Sequence, residues 1–181
     1  MSLTPSPLAP REKKLLVASD DHGRDLTGVQ NLKKKQKRME TEVASHEPAL
    51  QRVQESGQKL MEVSTASEIP QIENRIRQLD QAWSELRHTS AGRSQKLDQS
   101  LVYQTFLAKL EEEEAWISEK QQLLAVDDYG DNMAAVQGLL KKHDTFETDL
   151  SVHSDRLRDV LQQGEQLIAD GNHHADQIRA R

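Results

Sequence analysis

The chain has 181 residues, of which 30% are charged and 35% hydrophobic, and its formal net charge is −6. Six aromatic residues (Phe106, Phe146, Tyr103, Tyr129, Trp83 and Trp116) are too few for a thick globular core but enough for narrow apolar seams between long helices. The absence of cysteine excludes disulfide frameworks, thiolate metal sites and thiol nucleophiles, the acidic balance argues against bulk affinity for nucleic acid, and no apolar run is long enough for a membrane-spanning helix.

Residues 1–11 carry Pro5, Pro7 and Pro10 among Ser2, Thr4 and Ser6, without the basic and apolar regions of a signal peptide. They are expected to form a disordered, unmatched segment. Beyond them only Pro48 and Pro70 interrupt a chain rich in Leu, Glu, Lys, Gln and Ala, and no β-branched run alternates as a strand would. The segment "SDDHGRD" ends in Asp25, a candidate N-cap for a first long helix, which "EVSTASEIP" terminates. The pattern predicts a second helix over about 69–126, roughly 85 Å long at about 1.5 Å per residue. Gly92 stands alone there and does not break it. "VDDYGDN" then offers Asn132 as the cap of a third long helix, which "ADGNHH" ends with Gly171 as its C-cap residue. Pro48 falls inside the first helix and should bend it.

Sliding the chain by 107 residues lays "EKKLLVASDDHGRDLTGVQNL" over "EKQQLLAVDDYGDNMAAVQGL" without a gap. Asp20/Asp127, Asp21/Asp128, Gly23/Gly130, Val29/Val136, Leu32/Leu139, His46/His153 and Gly57/Gly164 coincide. A period this long exceeds the solenoid range, so each unit is a small domain. The first seam runs Val29, Leu32, Gln36, Met39, Val43, His46, Leu50, Val53, Gly57, Leu60. The second runs Val136, Leu139, His143, Phe146, Leu150, His153, Leu157, Val160, Gly164, Leu167. Their alternating spacing of three and four imposes a left-handed supercoil. Along the middle helix the seam passes Ile72, Ile76, Leu79, Trp83 and Leu86, fades through Ser90 and Arg93, returns at Leu97 and Leu101, and resumes through Phe106, Leu110, Glu113, Ile117, Lys120 and Leu124, so that near Ser90 to Gln99 it is polar. The polar stretch is expected to mark the junction of two bundles.

A helix ending in "EK", a loop with "DD(Y/H)G", a long heptad helix, and Trp in "QAWSEL" and in "EEEEAWISEK" together resemble the spectrin repeat. Among spectrin chains the likeness is to the alpha type. The resemblance implies an all-α fold of tandem left-handed three-helix bundles joined by a continuous helix. Trp83 and Trp116 take the hallmark positions. On this reading residues 12–98 are a first repeat lacking most of its first helix. Residues 99–181 are a second repeat lacking most of its third, so both bundles are incomplete in this chain.

The seam makes Trp83, Trp116, Leu139, Phe146, Leu150, His46 and His153 candidate core anchors. His173 and His174 are adjacent, diverge by about 100° on a helix, and so are poor partners for one metal ion. "DDYGDN" lacks the acidic spacing of a calcium loop. No cofactor and no metal are expected, and with no nucleophile–base constellation or phosphate loop the chain is not expected to be an enzyme. Lys33, Lys34, Lys35, Lys37 and Arg38 form the sharpest charge run, a solvated helix face or a contact for anionic lipid. Glu111 to Glu114 read as a solvated face. The resemblance implies a structural rod segment at the cell cortex in the cytoplasm. It also implies antiparallel pairing with a beta spectrin chain and an indirect link to the actin-based membrane skeleton. The alternative function is a regulatory module that offers unfilled helix-pair grooves to partner helices.

Overall fold

The computed structural model describes residues 19–181. The expected disorder of residues 1–11 and the expected end of a first helix at residues 12–18 lie outside the described residues. Four helices follow: α1 (Leu26–Val63), α2 (Ile69–Leu124), α3 (Met133–Ala169) and the short α4 (Ala175–Arg179), with no strand among the described residues. The chain divides into two compact units at Asp98 and Gln99, and α2 supplies one stretch to each.

Local chemistry explains where the helices start and stop. Asp25 caps α1 by accepting from the Gly28 amide at 2.6 Å, and Asn132 caps α3 by accepting from the Ala135 amide at 2.9 Å. The preceding loops are built alike. Asp21 accepts from the Gly23 amide and Asp128 from the Gly130 amide, both at 3.0 Å. Gly23 and Gly130 then take φ of +88° and +78°, which side-chain-bearing residues rarely adopt. A Cβ at Gly23 would sit 2.6 Å from Val29 Cγ2, and one at Gly130 2.9 Å from the Val136 amide nitrogen. The repeated "DDxG" is therefore a tight turn folded back on the first turn of the next helix. α3 ends with Gly171 at φ +71°, its amide donating to the Ile168 carbonyl and that of Asn172 to the Leu167 carbonyl. This is the paired closure of a glycine-stopped helix. Entry to α2 uses a device that sequence reading passed over. The Thr65 amide and hydroxyl both donate to Glu68 Oε2, the carboxylate half of a capping box at "TASE", while the Glu68 amide donates to the Thr65 carbonyl.

In the first unit α1 runs antiparallel to α2: Gln36 meets Ser90, Glu47 meets Arg87, Gln54 meets Asp80 and Gly57 faces Ile76. Val29, Met39 and Leu97 are the buried apolar residues. In the second unit α2 runs antiparallel to α3 around Tyr103, Phe106, Leu110, Val160 and Ile178, with Leu107, Leu167 and Ile168 against them. Gly164 lets α3 approach closely here, since a Cβ would lie 3.0 Å from the Phe106 ring.

Each seam is sealed over only part of its length. Val29, Gln36 and Met39 are buried in α1, whereas Val53 and Leu60 are 53% and 52% exposed. In α3 the order is reversed, with Val160 and Gly164 buried but His143 exposed. Two helices cover only part of each other's perimeter. The second seam closes where Ile178 of α4 joins Phe106 and Val160.

Candidate functional site

Among the described residues the candidate site is the set of polar and aromatic stations that lock the helices together. In the first unit Gln36, at 3% exposure, donates to both the carbonyl and the hydroxyl of Ser90 at 3.0 Å, and to Glu40 at 3.1 Å. One turn further along α2, the buried Arg93 donates to the carbonyls of Ser19 and Asp21, tying the "DDHG" loop to the helix. Burial lowers the proton affinity of this guanidinium, with Asp21 and then Asp20 opposing. His22 in the same loop has its pKa held below the usual histidine range, by burial first and by Arg93 and Lys96 next. The polar seam positions expected near Ser90 to Gln99 are packed inside: Ser90 and Arg93 are buried, as is Leu97 on the same seam. Gln36 Oε1, Arg93 Nε and Trp83 Nε1 are buried without a hydrogen-bond partner among the described residues. Trp83 itself is half-buried.

The second unit centres on Trp116. Its ring stacks on His153 at 3.8 Å between centroids and on Phe146 at 6.3 Å, with Lys120 Nζ 6.0 Å above it. His153 Nδ1 lies 2.5 Å from Glu113 Oε2. Glu113 is 6% exposed, so the acidic run is not wholly a solvated face: its third carboxylate points into the seam. Leu139 and Phe146 are half-buried beside this cluster. Two of the expected anchors are not in the core. Leu150 is 46% exposed and His46 is exposed, because both lie where only one described helix runs alongside. His173 and His174 also differ from expectation. They occupy the turn before α4, not a helix, and so converge instead of diverging. Their Nε2 atoms lie 3.2 and 3.3 Å from the buried Ser100 Oγ, His174 stacks on Tyr103 at 4.1 Å, and His173 Nδ1 meets Gln99 Oε1 at 2.8 Å. Sequence reading missed Ser100, Gln99 and Asn172, whose amide donates to the Gln99 carbonyl at 3.1 Å. Gly171, by ending α3, was the available signal. Of the basic run, Lys33 is paired with Asp98 at 2.5 Å, while Lys34, Lys35, Lys37 and Arg38 are exposed.

The spectrin repeat family model matches residues 11–99 and again residues 101–181. The chain belongs to the spectrin repeat family. It is 44% identical over 157 residues to spectrin alpha chain, erythrocytic 1 of Mus musculus, an alignment covering 87% of this chain and 6% of that one. It is 30% identical over 174 residues to the spectrin beta chain of Drosophila melanogaster, covering 94% of this chain and 8% of the relative. The erythrocytic spectrin beta chain of Mus musculus gives 30% over 172 residues, with the same two coverages. This chain therefore spans less than a tenth of the length of these relatives. Against this background the two copies of the loop and cap are the shared element of the spectrin repeats. The stations differ: Gln36 with Ser90 in the first repeat, Glu113 with His153 in the second.

Proposed function

We propose that the chain is a structural rod segment of a spectrin-based, actin-crosslinking skeleton at the cytoplasmic face of the cell cortex. It acts through helical packing and has no catalytic role. The observation that carries this reading is α2, which runs from Ile69 to Leu124 without a break and supplies a helix to each of two repeat matches. A helix shared between domains transmits axial load through its own hydrogen-bond ladder. We place the first repeat at residues 12–98 and the second at residues 99–181, whose third helix opens with α4. The likeness to an alpha chain supports antiparallel pairing with a beta spectrin chain. Trp116, His153, Phe146, Leu139 and Trp83 are the residues that hold the packed state. The tagged chain, expressed in cells that carry a cortical skeleton, should fractionate with the detergent-resistant cortex and bring a beta spectrin chain with it. A chain found diffusely in the cytosol without that partner would sink the reading.

The open seam residues Val53, Leu60 and Leu150 favour a second reading, in which the helix pairs dock partner helices. It differs in outcome: binding to isolated spectrin helices would persist when cortical recruitment is lost.

A further inference from the structure

Tyr129 is a side chain that the packing of the second repeat does not use. It is 80% exposed, whereas Tyr103, the other tyrosine of the chain, is 8% exposed and stacks on His174 at 4.1 Å. The Tyr129 hydroxyl lies 3.4 Å from Asp127 Oδ1, too far to hold the ring in place. Residues 125–132 are the longest stretch outside helices among the described residues, and Gln121 to Tyr129 are all exposed. Among the described residues every hydrogen bond of this loop is local. Asp128 accepts from the Gly130 amide and Asn132 from the Ala135 amide. The equivalent loop of the first repeat differs in both respects. His22 stands at the position of Tyr129, and Arg93 ties the carbonyls of Ser19 and Asp21 to α2.

We propose that Tyr129 is a phosphoryl acceptor for a protein-tyrosine kinase whose substrate groove is basic. A kinase needs its acceptor on a segment that can be drawn into the cleft, and a loop held only by local bonds yields without unlocking a helix pair. Asp127 and Asp128 precede the ring and Asp131 follows it, so a groove lined by Lys and Arg meets opposite charge on both sides. The γ-phosphoryl of Mg·ATP passes to Tyr129 Oη, its bond to the β-phosphate oxygen breaks, ADP leaves, and the phenolic proton goes to the catalytic carboxylate of the kinase. The product sets a charge of about −1.5 to −2 among three carboxylates. The N-terminus of α3 offers only about half a positive charge in return, so repulsion prevails and loosens the turn ahead of α3. The inference is independent of chain pairing, because the reaction requires neither a beta chain nor actin.

The test is incubation of the full chain with Mg·ATP and the catalytic domain of a protein-tyrosine kinase that prefers acidic peptides, followed by mass spectrometry of both tyrosines. A peptide of residues 123–135 serves as the reference for the flanking charges alone. Tyr129 should react at least about tenfold faster than Tyr103, which must first be freed from the core. Tyr129→Phe should abolish the fast incorporation. The Asp127→Asn, Asp128→Asn pair keeps an acceptor for the Gly130 amide and should slow the reaction by about fivefold. After phosphorylation the Gly130 amide should exchange with solvent deuterium faster, while the Gly23 amide keeps its rate. Equal labelling of the two tyrosines overturns the proposal, as does a peptide that reacts while the chain does not, or a peptide that does not react. So does a rate untouched by the paired Asp→Asn changes. A Gly130 amide that exchanges no faster overturns the loosening of the turn.

Discussion

Removing His153 should cost the second repeat more than its partial exposure suggests. The Glu113 side chain is 8% exposed and that of His153 19%. Breaking a fully buried pair by deleting one partner costs about 3–5 kcal/mol, because a desolvated charge is left behind. Water reaches the rim of the imidazole, which reduces this to about 2 kcal/mol, and the lost stack on Trp116 restores about 0.5–1.5 kcal/mol. His153→Ala is therefore expected to destabilise by about 3 kcal/mol. Glu113→Gln keeps an acceptor for the imidazole N–H and should cost under about 1 kcal/mol. Replacing both by leucine should leave stability within about 1 kcal/mol of the parent, since neither a charge nor a donor remains stranded. Urea unfolding of the full chain in a Trp83→Phe background, followed by Trp116 fluorescence, reads this repeat alone. A cost below about 0.5 kcal/mol for His153→Ala would place the pair among exposed ion pairs and refute the reasoning.

Gly23→Ala and Gly130→Ala should each lose about 1–2 kcal/mol from positive φ and more from contact with Val29 and Val136, whereas Gly171→Ala, with nothing in its way, should pay the φ cost alone; thermal melts rank them. Burial and the neighbouring Arg93 and Lys96 lower the pKa of His22 on folding, so the unfolded chain binds its proton more readily, and stability contributed there is lost as the pH falls through the usual histidine range. His22→Asn should therefore flatten the acid side of the melting temperature against pH, and an unchanged slope would count against burial of that ring. Ala91→Pro removes an amide from the ladder of α2 and should cost about 3 kcal/mol or more with a matching loss of helical circular dichroism.

Much of the fold can be read from the residues because its signals are local. The 107-residue offset aligns Asp21 with Asp128 and Gly23 with Gly130, and the same turn forms at both places. The second helix, expected over about 69–126, is Ile69–Leu124, since no residue between has chemistry that would stop it. What could not be read is which side of a seam is covered. A heptad pattern assigns His46, Val53, Leu60 and Leu150 an inward direction, but only a neighbouring helix makes that direction a core. Convergence of His173 and His174 on Ser100 was hidden for another reason. It depends on the chain leaving α3 at Gly171, which turns adjacent side chains out of helical divergence. Glu113 was legible as a seam position between Leu110 and Ile117, yet its acidic neighbours made the run read as a solvated face, and its burial shows that the seam position decides.

The buried polar stations answer a problem that a regular seam creates. A pair of heptad helices can slide by seven residues and still match apolar to apolar, so the apolar pattern alone leaves the register degenerate. In the first repeat Gln36 faces Ser90. A slip of one heptad in α2 would set its amide against Leu97 or Trp83, which carry no hydroxyl to take the place of Ser90 Oγ. In the second, Glu113 faces His153, and the same slip in α3 would bury the carboxylate against Val160 or Phe146. A stranded buried charge costs several kcal/mol, which is comparable with the stability of a small domain. The pairs therefore act as register locks even where they add little net stability. The double leucine variant of Glu113 and His153 separates these roles, since it should keep its stability yet lose its single register. Its amide resonances in α3 should broaden or double. One sharp set would show that Gly164 against Phe106, with the Asn132 and Gly171 caps, fixes the register without the polar pair.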